Sequence, residues 1–245
     1  CGEGFGRDGD LGSALMGLPP PARPLPRPAF WRAQGYVGWE GEGLKAVLRA
    51  GPLRFRPGQA DLLHLDLSAD GRPLLPDAGC PTYNPPPGAP WGGWFETTAA
   101  HSTVSFDPDG PWGGDQMPRI GRFLFARWPR VLALPDGAAL LDARGNRHER
   151  RVRREGRRLL VEDRLSGPFR LAVLRWHLAG EGWQVTANGV AGPGLSIAVA
   201  AAAPVVPEIE RGWSAPMHGR VVPAWAVRVV LRGIHSPVVS TFTVA

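Results

Sequence analysis

Lysine is almost missing from this chain: Lys45 stands alone, although the formal net charge is +6. The basic side is therefore guanidinium, which pairs in forked fashion with carboxylate, sulfate or phosphate. Cysteine is equally scarce, with only Cys1 and Cys80. That excludes a disulfide framework, permits one bridge at most and leaves the compartment open. No apolar run approaches the ~20 residues of a membrane-spanning helix. The opening residues have neither a charged n-region nor an apolar h-region, so no leader is legible. A chain that starts on Cys implies a cut through a longer protein, with a lipid-modified mature N-terminus as the alternative. Helical periodicity is absent throughout, and tyrosine is limited to Tyr36 and Tyr83.

What is present is strand and turn. At 245 residues and 43% hydrophobic, with ten Trp, the chain can bury a sizeable core despite 33 Gly and 27 Pro. Residues 1–30 read as a connector. Gly2, Gly4, Gly6, Gly9 and Gly12 precede Pro19, Pro20, Pro21, Pro24, Pro26 and Pro28, too many breakers for a helix. Gly2, Gly4 and Gly6 make no phosphate loop, since no strand precedes them and no Lys-Ser or Lys-Thr follows. Residues 31–245 form one domain of short alternating segments, the clearest being Leu44 to Leu48, Leu62 to Leu67, Ser102 to Phe106, Arg122 to Trp128, Arg147 to Arg153, Phe169 to Leu178 and Val238 to Val244. Asp70-Gly71, Asp136-Gly137 and Asn188-Gly189 are hairpin-type pairs, in which Gly accepts positive φ. The pattern predicts an all-β, large antiparallel sandwich.

Candidate chemistry is sparse. The dense run Arg147, Arg150, Arg151, Arg153, Arg154, Arg157 and Arg158 lacks the interleaved aromatics that stack bases, which argues against nucleic acid. The stretch from Pro81 to Gly93, with Trp94 after it, is long and aromatic for a mere connection. It reads either as a sugar-stacking loop or as a plug over the sandwich edge. Alternation places Leu63, Leu65 and Leu67 on one face with Gln59 and Asp61 at its end, and His64 with Asp66 on the other. Asp77 closes one strand and His101 opens another, and two such residues are not a zinc site, which needs three or four protein ligands. No nucleophile elbow, Cys-His pair or paired-carboxylate signature is visible. Tyr83, beside Asn84, is the phenol placed nearest a ligand.

The residues from Phe55 to Leu67, Asp77 to Asn84, Ala100 to Val104 and Asp115 to Phe123 resemble, in that order, the C-terminal domain of heparinase II/III-like proteins. Gly6 to Asp10, His148 with Arg150 and Arg151 before Leu160 to Leu165, and Arg211 to Ser214 extend the resemblance over most of the chain. It implies a polysaccharide lyase architecture, in which an N-terminal α/α toroid, absent from this chain, meets a large β-sandwich (a supersandwich) across the active cleft. Such enzymes cleave uronate-containing chains by β-elimination. The base and acid would lie on the toroid, leaving this piece inactive alone, with the toroid as its intramolecular partner. A periplasmic or extracellular location follows from the resemblance alone. For the cleft wall, Tyr83, Asn84, Trp91 and Trp94 are the candidates, with Arg119 and Arg122 to meet the carboxylates of an acidic polysaccharide.

By the same resemblance, a metal triad maps to Gln59, Asp77 and His101, with Gln59 in place of an imidazole and Pro57 where some members carry a further His. A neutral amide is a poor zinc ligand. The expectation is no zinc or a weakly held one, with Asp77 and His101 hydrogen-bonded directly and His64 given no ligand role. A non-catalytic carbohydrate-binding or structural sandwich is the alternative reading.

Overall fold

The computed structural model describes residues 28–52, 58–110, 113–116, 127–233 and 237–245. Strands β1 (Phe30–Ala33), β2 (Tyr36–Gly41), β3 (Leu44–Arg49), β4 (Leu65–Ala69) and β5 (Arg72–Leu75) form a five-stranded meander. Two short 3₁₀ turns, Trp94–Glu96 and Thr98–Ala100, then lead into β6 (Val104–Phe106). The chain continues through β7 (Arg130–Leu134), β8 (Gly137–Leu141), β9 (Arg147–Glu155), β10 (Arg158–Ser166), β11 (Leu171–Leu178), β12 (Gln184–Thr186), β13 (Gly189–Gly192), β14 (Leu195–Ala200), β15 (Pro207–Met217), β16 (Arg220–Arg232) and β17 (Val238–Val244). Eight of these form a sheet in the order β12-β13-β14-β17-β10-β9-β8-β7, and four form another, β15-β16-β11-β6.

The five- and four-stranded sheets meet edge to edge. Leu65 N–H donates to Ser102 O (3.3 Å) and Ala179 N–H to Leu74 O (3.1 Å). They make one layer, and the eight-stranded sheet faces it across a single core. Trp176 of β11 is fully buried, packs edge-on against Phe242 of β17 at 4.9 Å and gives its indole N–H to Ser240 Oγ. Alternation sorts the arginine-rich strand. His148, Arg150 and Val152 of β9 point inward, while Arg147, Arg151 and Arg153 point outward. The outward set is engaged by carboxylates: Arg147 with Glu149, Arg151 with Asp136, Arg153 with Glu155. That surface is a mixed-charge ladder, not an open cationic patch.

The sandwich is the one expected, with differences in detail. The strand read from Leu62 begins only at Leu65, because Leu63 adopts φ 58° and turns the chain. Of the three hairpin pairs, only Asp70-Gly71 occupies a turn with both residues at positive φ. Gly137 and Gly189 are strand residues instead. A Cβ on Gly137 would lie 1.9 Å from Arg150 O, and one on Gly189 1.8 Å from Ile197 O, so glycine permits close strand approach there. Strands β1, β7, β13 and β15 lack clean alternation; β15 opens on proline and only Pro207 and Ala215 of it are buried. Most of the predicted connector, and most of the Arg122 to Trp128 segment, lie outside the described residues.

Candidate functional site

Leu63's left-handed turn sends the His64 side chain inward, to 4% exposure, where its ring still faces Asp66 as alternation expected. Backbone bonds lock that turn, with Leu63 N–H on Arg49 O and His64 N–H on Asp61 O. Gln116 clasps Leu62 from both sides, its Oε1 taking the N–H at 3.1 Å and its Nε2 giving to the carbonyl at 2.7 Å. From the core side, fully buried Arg150 donates through Nη1 to Leu63 O and Ser102 O, both at 2.6 Å. Its other edge forks onto Asp163 at 2.7 and 3.1 Å, and its guanidinium lies 4.5 Å from the Trp176 ring centre. One side chain of the eight-stranded sheet thus clamps the residues adjacent to His64 and His101.

Three donor groups converge at the rim. His101 Nδ1 lies 2.8 Å from Asp77 Oδ2, and His64 Nε2 lies 3.6 Å from the same oxygen and 3.4 Å from Asp66 Oδ1. Asp77 Oδ1 accepts the Gly79 N–H at 2.7 Å, and Asp66 Oδ1 accepts the Asp77 N–H at 3.1 Å. The two imidazoles meet edge-on at 5.5 Å. Burial alone would raise the Asp77 carboxyl; His101, His64 and the Gly79 amide override it and hold the group well below its usual range. His177, behind His101, is pushed down to about 3 by burial and stays neutral, bound to Ala99 O.

Asp77 and His101 therefore stand together as the resemblance implied, but the second imidazole comes from His64. Gln59 is anchored elsewhere, its Nε2 donating to Gly79 O at 2.9 Å. His64, Asp77 and His101 place ligand-type atoms within 4.8 Å of one another, a spacing that suits a metal. Their protons do not. The Ser102 N–H points at His64 Nδ1 (2.8 Å), which must hold a lone pair, so the ring proton sits on Nε2, the atom facing Asp77. His101 Nδ1 and Asp77 Oδ2 are at hydrogen-bond length, shorter than the ~3.3 Å that separates ligands held tetrahedrally at zinc distances. As arranged, these residues do not fit a resident zinc.

Beside the cluster runs a groove of about 420 Å³, including solvent at its mouth, lined by Gln59, Cys80, Tyr83, Trp91, Phe95 and Glu96 among others. Tyr83 is 65% exposed, and Trp91 packs edge-on to Phe95. Trp94 does not line the groove; its ring covers Gly212 and meets Phe95 and His177, acting as the plug. Asn84 is exposed next to the groove without lining it, its N–H held by Thr82 Oγ1. Arg119 and Arg122 lie outside the described residues. Among the described lining residues none is basic, and Glu96 is acidic. Glu96, Cys80, Arg150 and the role of His64 escaped the sequence reading; the adjacent Leu62 and Leu63, which break strict alternation, were the one available signal for His64.

A two-layer antiparallel sandwich carrying a polar cluster and an aromatic groove along one rim is the class of module these features define. The chain belongs to the heparinase II/III-like family, whose C-terminal-domain model matches residues 23–234. Similar solved structures include a heparinase III gene product, at 15% identity and TM-score 0.70 over 91% of this chain, and its form with methylated lysines, at 14% and 0.75 over 96%. Another is the heparan sulfate lyase HepC from Pedobacter heparinus, at 19% identity and TM-score 0.65 over 86%. This chain spans 37%, 38% and 35% of those three chains, respectively. No curated protein matches in sequence. No helix among the described residues is long and apolar enough to cross a membrane.

Proposed function

We propose that this chain is the C-terminal sandwich of a polysaccharide lyase acting on an acidic, uronate-containing glycan, and that it supplies one wall of the cleft. The single observation carrying the reading is the aromatic groove on the Cys80-to-Glu96 segment of a heparinase II/III-like sandwich. Family membership and the names of the similar structures supply the reaction class. In β-elimination a base removes the C5 proton of the uronate while its carboxylate is neutralised and the C4–oxygen bond breaks. By the family resemblance the base and acid fall to the toroid proposed to precede residues 1–30; no described groove residue is basic, and Arg119 and Arg122 of this chain are the candidates for the neutralising cation. On this chain Tyr83 and Trp91 offer flat faces for sugar rings, Gln59 and Glu96 offer polar groups to hydroxyls, and the plug formed by Trp94 keeps the segment in place.

The full-length protein is expected to release unsaturated uronate, seen as ultraviolet absorbance, from at least one acidic polysaccharide. No release across a panel of such substrates, with the protein folded, would remove the reading. Gln59 in place of an imidazole and the acidic Glu96 favour a second reading, a sandwich that binds glycan without cleaving it. That reading predicts retention on a glycan column with no product.

A further inference from the structure

We propose that His64, Asp77 and His101 form a metal-independent clamp at the place where the family resemblance puts zinc, His101 Nδ1 hydrogen-bonded to Asp77 Oδ2 at 2.8 Å and His64 Nε2–H facing the same oxygen from 3.6 Å, without a hydrogen bond. Ser102 sets the first proton. Its amide, aimed at His64 Nδ1 from 2.8 Å, leaves Nε2 as the protonated atom, directed toward Asp77 and Asp66. Asp77 sets the second. Its Oδ2 lies 2.8 Å from His101 Nδ1 and accepts that atom's proton as a hydrogen bond. Metal at this point would have to displace both protons, leaving His64 an imidazolate with the Ser102 amide still on its other nitrogen. Neutral histidine offers one lone pair, and here Ser102 already uses it.

Ser102 is itself immobilised. Its carbonyl takes Arg150 Nη1 and Leu65 N–H, and its hydroxyl takes the His177 N–H at 3.0 Å. Turning the amide away to free His64 would break these bonds together, so the tautomer is built into the fold. Burial lowers the His64 pKa, yet Asp66, Asp77 and Asp61 outweigh it and raise it, which favours a second proton on the ring. That proton would point at the Ser102 N–H, so the same contact that opposes metal also opposes the charged ring. Gln59 then acts as a fastener, tying the Asp77–Gly79 turn through Gly79 O. The clamp would join β4, the turn after β5 and the entry to β6 without an ion.

The test is made on the purified chain as it stands. Metal content is measured by plasma mass spectrometry, cobalt(II) is titrated in while the visible spectrum is recorded, melting is followed with and without chelator, and histidine tautomers are read by long-range proton–nitrogen NMR. Expected are no stoichiometric metal, no cobalt absorption, a Tm indifferent to chelator, and His64 protonated at Nε2 with His101 protonated at Nδ1. One equivalent of metal or cobalt that is lost in His101→Gln, or a His64 protonated at Nδ1, would overturn the proposal. Absence of lyase activity in the full-length protein would not bear on it, because the clamp rests on the Ser102–His64 and His101–Asp77 hydrogen bonds and not on the substrate.

Discussion

His177 is a buried, neutral imidazole whose proton balance shapes the pH response. In the unfolded chain it takes a proton near 6.5; in the fold, burial delays this to about 3, although Ala99 O pulls the other way. Between these values the unfolded state binds more protons, so stability falls as pH drops from 6.5 toward 3. His148, buried behind Asp163, shifts in the same direction. Urea titrations at stepped pH should show the decline, and His177→Asn, which keeps a donor for Ala99 O, should flatten it by up to about 1.4 kcal/mol per pH unit. An unchanged slope would mean that His177 is not what titrates. At the groove, Tyr83→Ala and Trp91→Ala should each weaken glycan binding by about 1 kcal/mol, measured calorimetrically, while Asn84→Ala should do far less. At this scale sequence reading went only part of the way. Asp77 and His101 were legible from the motif and His64 beside Asp66 from alternation, but not the left-handed turn at Leu63 that buries His64 against Asp77.

Among the strands, β9 carries the heaviest duty. Removing the Arg150 fork would leave the buried Asp163 carboxylate with only His148 beside it and take one donor each from Leu63 O and Ser102 O. Arg150→Met should therefore cost about 3–5 kcal/mol in chemical unfolding, and Arg150→Met with Asp163→Leu should recover part of it. A single mutant as stable as the parent would show that the fork holds nothing. Gly137→Val puts a side chain where Arg150 O stands, at 1.9 Å, and should destabilise by about 2 kcal/mol or more. Strands with one buried face, such as β3, β9 and β14, could be read from alternation. Strand β15, opened by proline and with only Pro207 and Ala215 buried, carries no such signature. Its partner is β16, the next strand in the chain, so what is missing is a continuous buried face and not a distant neighbour.

For the molecule as a whole, composition foretold the sandwich but misrepresented its surface. An excess of arginine suggested attraction to polyanions, yet much of it is matched by carboxylates within the sheets or sunk in the core. Glycan binding by this chain alone should accordingly depend on ionic strength only as far as Arg119 and Arg122 contribute, because stacking and neutral hydrogen bonds are barely screened. A steep loss of affinity on adding salt would place unpaired arginines in contact with ligand. The composite layer has a mechanical corollary as well. Its two sheets are stitched, not woven, along a line that runs past Ser102, where few backbone bonds cross. Shear between the halves loads that stitch first, so amide exchange at Leu65 and Ala179 should outpace that of the strands on either side, and a ligand bridging the line would brace the sandwich like a splint.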